Sequence, residues 1–118
     1  MKKTVEEYMA LGVERPYAEY FAAGRRRIVH VKPCDDFSLI LTFDNGEVRI
    51  LNLSDMLKEG VFSKISDYAD FSRAYLNEDH MVCWDIDPNV DSHVFWNNQI
   101  DICPDYCYVE SRPVPSDS

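Results

Sequence analysis

Apolar residues recur along the chain with two different periods, and the change of period divides it. Near the start, Val5, Tyr8, Met9 and Leu11 fall on one helical stripe behind Thr4-Val5-Glu6-Glu7, a capping-box pattern, and Gly12 ends it. Pro16 suits the first turn of a second helix, with Tyr17, Tyr20 and Phe21 on one side and Gly24 at its end. The spacing therefore predicts helices over 4–11 and 15–23.

From Ile28 the period becomes two. Ile28–Lys32 reads as a strand ended by Pro33. Ser38–Phe43 and Glu47–Leu51 flank Asp44-Asn45-Gly46, and Asn-Gly predicts a hairpin through a type I′ turn. In that register Phe43 faces Val48 and Leu41 faces Ile50, with all four on one face. Residues 54–73 read as short helices, Ser54 capping the first. Further extended runs are expected at Ala74–Leu76, Met81–Trp84, His93–Trp96 and Ile100–Ile102. Asp85–Ser92 is a loop rich in turn formers, and Pro104 opens a last short helix carrying Tyr106, Tyr108 and Val109.

The pattern predicts one α+β domain over 1–118: a helical extension at 1–27, a core at 28–109 with a small, mostly antiparallel sheet and short helices on it, and a frayed tail at 110–118. A chain of 118 residues is the size of one domain. No apolar run reaches the ~18 residues of a membrane span. Lys2 and Lys3 could open a signal peptide, but Glu6, Glu7 and Glu14 stand where its apolar centre should be. The expectation is a cytoplasmic protein without membrane contact, with Cys34, Cys83, Cys103 and Cys107 reduced.

Charge changes the picture further. Lys plus Arg total 12 and Asp plus Glu 21, a net −9, and the imbalance is graded: +3 over residues 1–34, −4 over 35–75 and −8 over 76–118. Such a body repels phosphate backbones, so direct nucleic-acid binding by the isolated chain is not expected. Arg25-Arg26-Arg27 reads as a solvated helix end complementing the dipole, because the preceding helix offers Tyr, Ala, Glu and Phe rather than a polar base-reading face. An acidic C-terminal third instead suits a basic protein partner.

Candidate chemistry is sparse. Asp85-x-Asp87-x-Asn89-x-Asp91 resembles the opening of an EF-hand loop, but Val90 stands where the glycine belongs and Trp96 where the bidentate glutamate belongs, so no calcium site is expected. Cys103 and Cys107, with His30, His80 and His93 scattered, do not make a zinc set. No phosphate-cradling glycine loop or nucleophile elbow is present. The expectation is no catalytic residue, no metal and no cofactor. Aromatics interleave with the late acids at Trp84, Phe95, Trp96, Tyr106 and Tyr108. From these, Asp85, Asp87, Asp91, Trp96 and Tyr106 are the candidate partner-binding residues of a non-enzymatic interaction or regulatory module. The alternative is a small-ligand or metal-binding protein, or an enzyme, using acidic loop 85–91 and the late aromatics.

Ile28-Val29-His30-Val31-Lys32-Pro33, Leu39–Phe43 running into Asp44-Asn45-Gly46-Glu47, Gly60-Val61-Phe62, Phe71, and Trp96-Asn97-Asn98-Gln99-Ile100-Asp101-Ile102 before Pro104-Asp105-Tyr106 together resemble a small bacterial domain-of-unknown-function family over about 28–109. The resemblance implies an α+β fold. Some relatives sit beside small toxin-like proteins or are fused to DNA-binding helices, which implies a regulatory, antitoxin-like binding role. It carries over no catalytic residue.

Overall fold

A computed structural model describes residues 3–114. Helix α1 spans Val5–Ala10, and its capping box is complete: the Glu7 amide donates to Thr4 Oγ1 and the Thr4 amide donates to Glu7 Oε1, each at 3.2 Å. Helix α2 spans Arg15–Ala23, with Pro16 in its first turn and Gly24 as its C-cap at φ +100°. The Tyr8 and Phe21 rings, 5.5 Å apart, join the two helices.

Strands β1 (Ile28–Pro33), β2 (Ser38–Phe43) and β3 (Val48–Asn52) form an antiparallel sheet, and β7 (Arg112–Pro113) adds a fourth strand beyond β3. A second antiparallel sheet takes β4 (Tyr75–Leu76), β5 (Val82–Asp85) and β6 (Gln99–Ile102) in that order. Short 3₁₀ turns at Met56–Lys58 and Gly60–Ile65 and helix α3 (Tyr68–Phe71) bridge the sheets, and α4 (Pro104–Val109) follows β6. The α+β expectation is met. Leu39, Leu41 and Phe43 from the first sheet meet Val82, Trp84, Ile100 and Ile102 from the second, with Ile65 and Phe71 between. Trp84, one of the aromatics interleaved with the late acids, is fully buried; its Nε1 donates to the Phe71 carbonyl at 2.8 Å. No helix among the described residues is long and apolar enough to cross a membrane.

Four local expectations fail, each for a physical reason. The hairpin turn has three residues rather than two: the Gly46 amide donates to the Phe43 carbonyl and the Phe43 amide to the Glu47 carbonyl, both at 2.9 Å. Gly46 takes φ +88°, but Asn45 does not take the positive φ of a type I′ turn, since its side chain accepts from the Glu47 amide at 3.0 Å. The register consequently moves by one, pairing Leu41 with Arg49 and Ile40 with Ile50. A one-residue slip reverses a strand's faces. Leu51 is therefore buried, Val48 is exposed, and Arg49 lies in phase with the core.

Within β1, the register skips between Ile28 and His30, leaving Val29 as an unpaired bulge. The skip lets Ile28 oppose Phe43 while Val31 opposes Leu41, so both can face the core. His93–Trp96 is not a strand. The Val94 and Phe95 amides both donate to the Asp91 carbonyl, closing a turn that runs into a 3₁₀ turn at Trp96–Asn98. Ser54 caps no helix, because its amide and hydroxyl both donate to Asn52 Oδ1. Residues 110–114 of the expected frayed tail are ordered: Ser111 is buried, and Arg112 pairs with Ile50. Residues 115–118 of that tail lie outside the described residues.

Candidate functional site

Residues 85–98 run from the end of the central strand β5 to the end strand β6 and hold four of the five candidate partner-binding residues. The frame of this connection is Asn98, which is buried. Its Oδ1 accepts from the Asp87 amide at 2.9 Å. Its Nδ2 lies within donating distance of the Asp87 carbonyl (3.0 Å), the Val90 carbonyl (3.2 Å) and Ser92 Oγ (3.1 Å). Its main-chain carbonyl accepts from the Ile86 amide at 2.7 Å. One side chain thus ties down polar backbone groups that no ladder partner would reach. Asn98 was not among the sequence candidates. A signal for it exists, because Asn98 is in phase with Ile100 and Ile102 on the buried face of the following strand.

The three aspartates divide by role. Asp85, at the end of β5, turns inward: its Oδ1 accepts from Tyr75 Oη at 2.8 Å and from Ser92 Oγ at 2.7 Å. Gln99 Nε2 donates in turn to Tyr75 Oη at 2.8 Å. Burial pushes the Tyr75 phenol up to about 12, opposed by the Gln99 hydrogen bond and reinforced by the Asp85 carboxylate. This phenol is a hydrogen-bond donor at neutral pH, and Asp85 belongs to the frame. Asp87 and Asp91 are exposed, each using one carboxylate oxygen to close a local turn, on the Asn89 and His93 amides respectively. Such Asx turns leave the second oxygen to solvent. Among the described residues, no group of three or more His, Cys, Asp or Glu side chains is placed to hold a metal ion.

The frame presents apolar surface outward. Trp96 is 84% exposed, Val94 66% and Phe95 56%. Phe95 borders a shallow depression of about 370 Å³ with Lys64, Ile86 and Val90. A large side chain left in water forgoes on the order of 1.5–3 kcal/mol of burial free energy, so three in succession are a considerable apolar display. Tyr106 does not join them. It sits half-buried on α4, where burial and then the Glu110 carboxylate raise its phenol. Glu110 also accepts from Tyr17 Oη of α2 at 3.2 Å. Tyr106 packs against the hydrophobic core from α4 rather than joining the exposed turn.

The family model described as "Protein of unknown function (DUF2442)" matches residues 28–113. The chain belongs to the DUF2442 family. Neither a curated protein nor a solved structure matches it. The DUF2442 match spans both sheets from β1 to β7, and the loop framed by Asn98 lies within it. Helices α1 and α2 precede the matched DUF2442 region.

Proposed function

We propose that this DUF2442 protein is a non-enzymatic interaction module that docks a basic protein through the Val94-Phe95-Trp96 turn, with Asp87 and Asp91 at its rim. The observation that carries the reading is Trp96, 84% exposed on a connection that Asn98 fixes from inside. A tryptophan held out on a fixed turn offers contact area at small entropic cost, and such anchors dominate binding energy when a partner covers them. The partner's charge follows from the net −8 of residues 76–118, which speeds encounter with a basic surface. Asp85 contributes by holding the frame and Tyr106 lies elsewhere. A small, basic, toxin-like protein, the neighbour implied by the family resemblance, has the required chemistry. An antitoxin-like role is the specific form this proposal takes.

The test is capture of a basic partner from extracts of the source cell, followed by stopped-flow kinetics at two salt concentrations. Trp96→Ser should raise the dissociation rate by at least ~10-fold, the scale of a hot-spot residue. Asp87→Asn with Asp91→Asn should slow association at low salt and flatten its salt dependence. Equal retention of that partner by Trp96→Ser would show that the turn is not the docking surface.

A further inference from the structure

In this acidic chain two arginines line the same concave place. Between α2 on one side and β3 with α4 on the other lies a cleft of about 380 Å³, within the range of small-molecule sites. Tyr20 and Tyr108 border it with ring centroids 5.0 Å apart, and Arg26 and Arg49 both line it. Pro16, Ala23 and Val109 supply apolar wall.

The two arginines are held differently. The guanidinium of Arg49 lies 4.5 Å from the centre of the Tyr108 ring. Its Nε donates to Ser111 Oγ at 2.8 Å, its Nη2 to the Ser111 carbonyl at 2.7 Å, and its Nη1 to Glu47 Oε2 at 3.3 Å. A guanidinium has five N–H donors, so two of Arg49's remain. Arg26 is fixed through its backbone: its amide donates to Tyr20 Oη at 2.9 Å, and Tyr20 Oη donates to its carbonyl at 3.3 Å. Among the described residues, no carboxylate lies within ion-pair distance of the Arg26 guanidinium. The acid in the lining is Glu19, which pairs with Arg15 at 4.0 Å.

We infer that this cleft binds a small organic phosphomonoester, its phosphate between Arg26 and Arg49 and its apolar body against Tyr20, Ala23 and Val109. Two guanidinia from separate elements match a dianion better than a monoanion, and their planar forks match phosphate oxygens. The surrounding negative charge disfavours anions in general, so retention must come from these local donors. The cleft is composite. Tyr20 and Arg26 come from the segment before residue 28, whereas Arg49 and Tyr108 come from the DUF2442 region. Helix α2 and the residues just after it thereby complete a site that the family domain alone would leave open. This inference uses none of the residues of the proposed docking turn, so each can fail without the other.

Phenyl phosphate is the probe, with inorganic phosphate and benzenesulfonate beside it, followed by ¹H–¹⁵N NMR on the full chain. Saturable shifts are expected at Gly24 and at the Arg26 and Arg49 side chains, with phenyl phosphate binding more tightly than either comparison anion. Arg26→Gln should weaken phenyl phosphate by ~10-fold, the scale of a lost charge-assisted hydrogen bond. Arg25→Gln, removing an exposed guanidinium over Phe21 beside Asp105, should leave affinity unchanged. Glu19→Gln should tighten binding, which keeps the proposal testable if Arg26→Gln perturbs the fold. Equal weakening by Arg25→Gln and Arg26→Gln, or shifts spread evenly over the surface, would overturn it, as would benzenesulfonate binding as tightly as phenyl phosphate.

Discussion

Gly46 stands at φ +88° with open space where a Cβ would project, so a substitution there meets backbone strain and no clash. Gly46→Val should lower stability by about 1–2 kcal/mol, since β-branched residues resist positive φ. Urea unfolding reads this as a reduced midpoint with unchanged slope; an unchanged midpoint would contradict the turn. The glycine was legible in the sequence because Asn-Gly between two strands is a strong local signal. The two tryptophans were not. Trp84 is in the core and Trp96 in solvent, and each follows an apolar residue and precedes a polar one, so local pattern does not separate them. What separates them is the Asp91 carbonyl. It accepts from the Val94 and Phe95 amides and so closes a turn at residues that alternation alone assigns to a strand.

At the scale of elements, the hairpin shows how a correct element can carry an incorrect face. The sequence predicts both strands and their turn, but turn length decides the register, and register decides what is buried. Arg49 misleads the pattern because it occupies a core-phase position while its guanidinium engages Tyr108, Ser111 and Glu47. Strand β7 was hidden for a related reason: a two-residue strand containing Pro113 reads as tail until Ser111 is seen locked to Arg49. This network also gives the element a pH dependence. The Tyr108 hydroxyl donates to Glu47 Oε1 at 2.7 Å, and that bond is the largest cause holding the Glu47 carboxyl below the ordinary carboxylate range. Because the folded carboxyl titrates below the unfolded one, its contribution is full above the unfolded value and fades as pH falls through the folded value. The stability difference between wild type and Glu47→Gln should therefore shrink as urea midpoints are followed from neutral into acid. A constant difference across that range would mean that Glu47 is not coupled to folding.

For the whole molecule, periodicity and turn chemistry conveyed the α+β class and most of the elements. The way the two sheets share a core was not legible, because it depends on contacts between Leu39–Phe43 and residues beyond 80 that no local pattern encodes. The core also sorts the thiols. Cys83 and Cys107 are buried, and burial pushes each thiol up to about 12; Cys103 is exposed and Cys34 half-buried. The thiolate is the reactive species, so an aromatic disulfide reagent should titrate Cys34 and Cys103 in the folded protein and all four cysteines after denaturation. Rapid reaction of all four without denaturant would place Cys83 and Cys107 outside a closed core.

The bulge at Val29 has a consequence for molecules meeting one another. Strand β1 is an end strand of its sheet, and a regular end strand is a template on which another chain can add and aggregate. Here the ladder is interrupted at Val29, Lys32 puts a charge on the strand, Pro33 lacks an amide to offer, and the His80 ring Nδ1–H donates to the Ile28 carbonyl at 3.0 Å. The irregularity that lets Ile28 and Val31 both face inward also leaves this rim a poor surface for a second copy to zip onto, so crowded copies can stay separate while keeping an apolar turn exposed on another part of the fold.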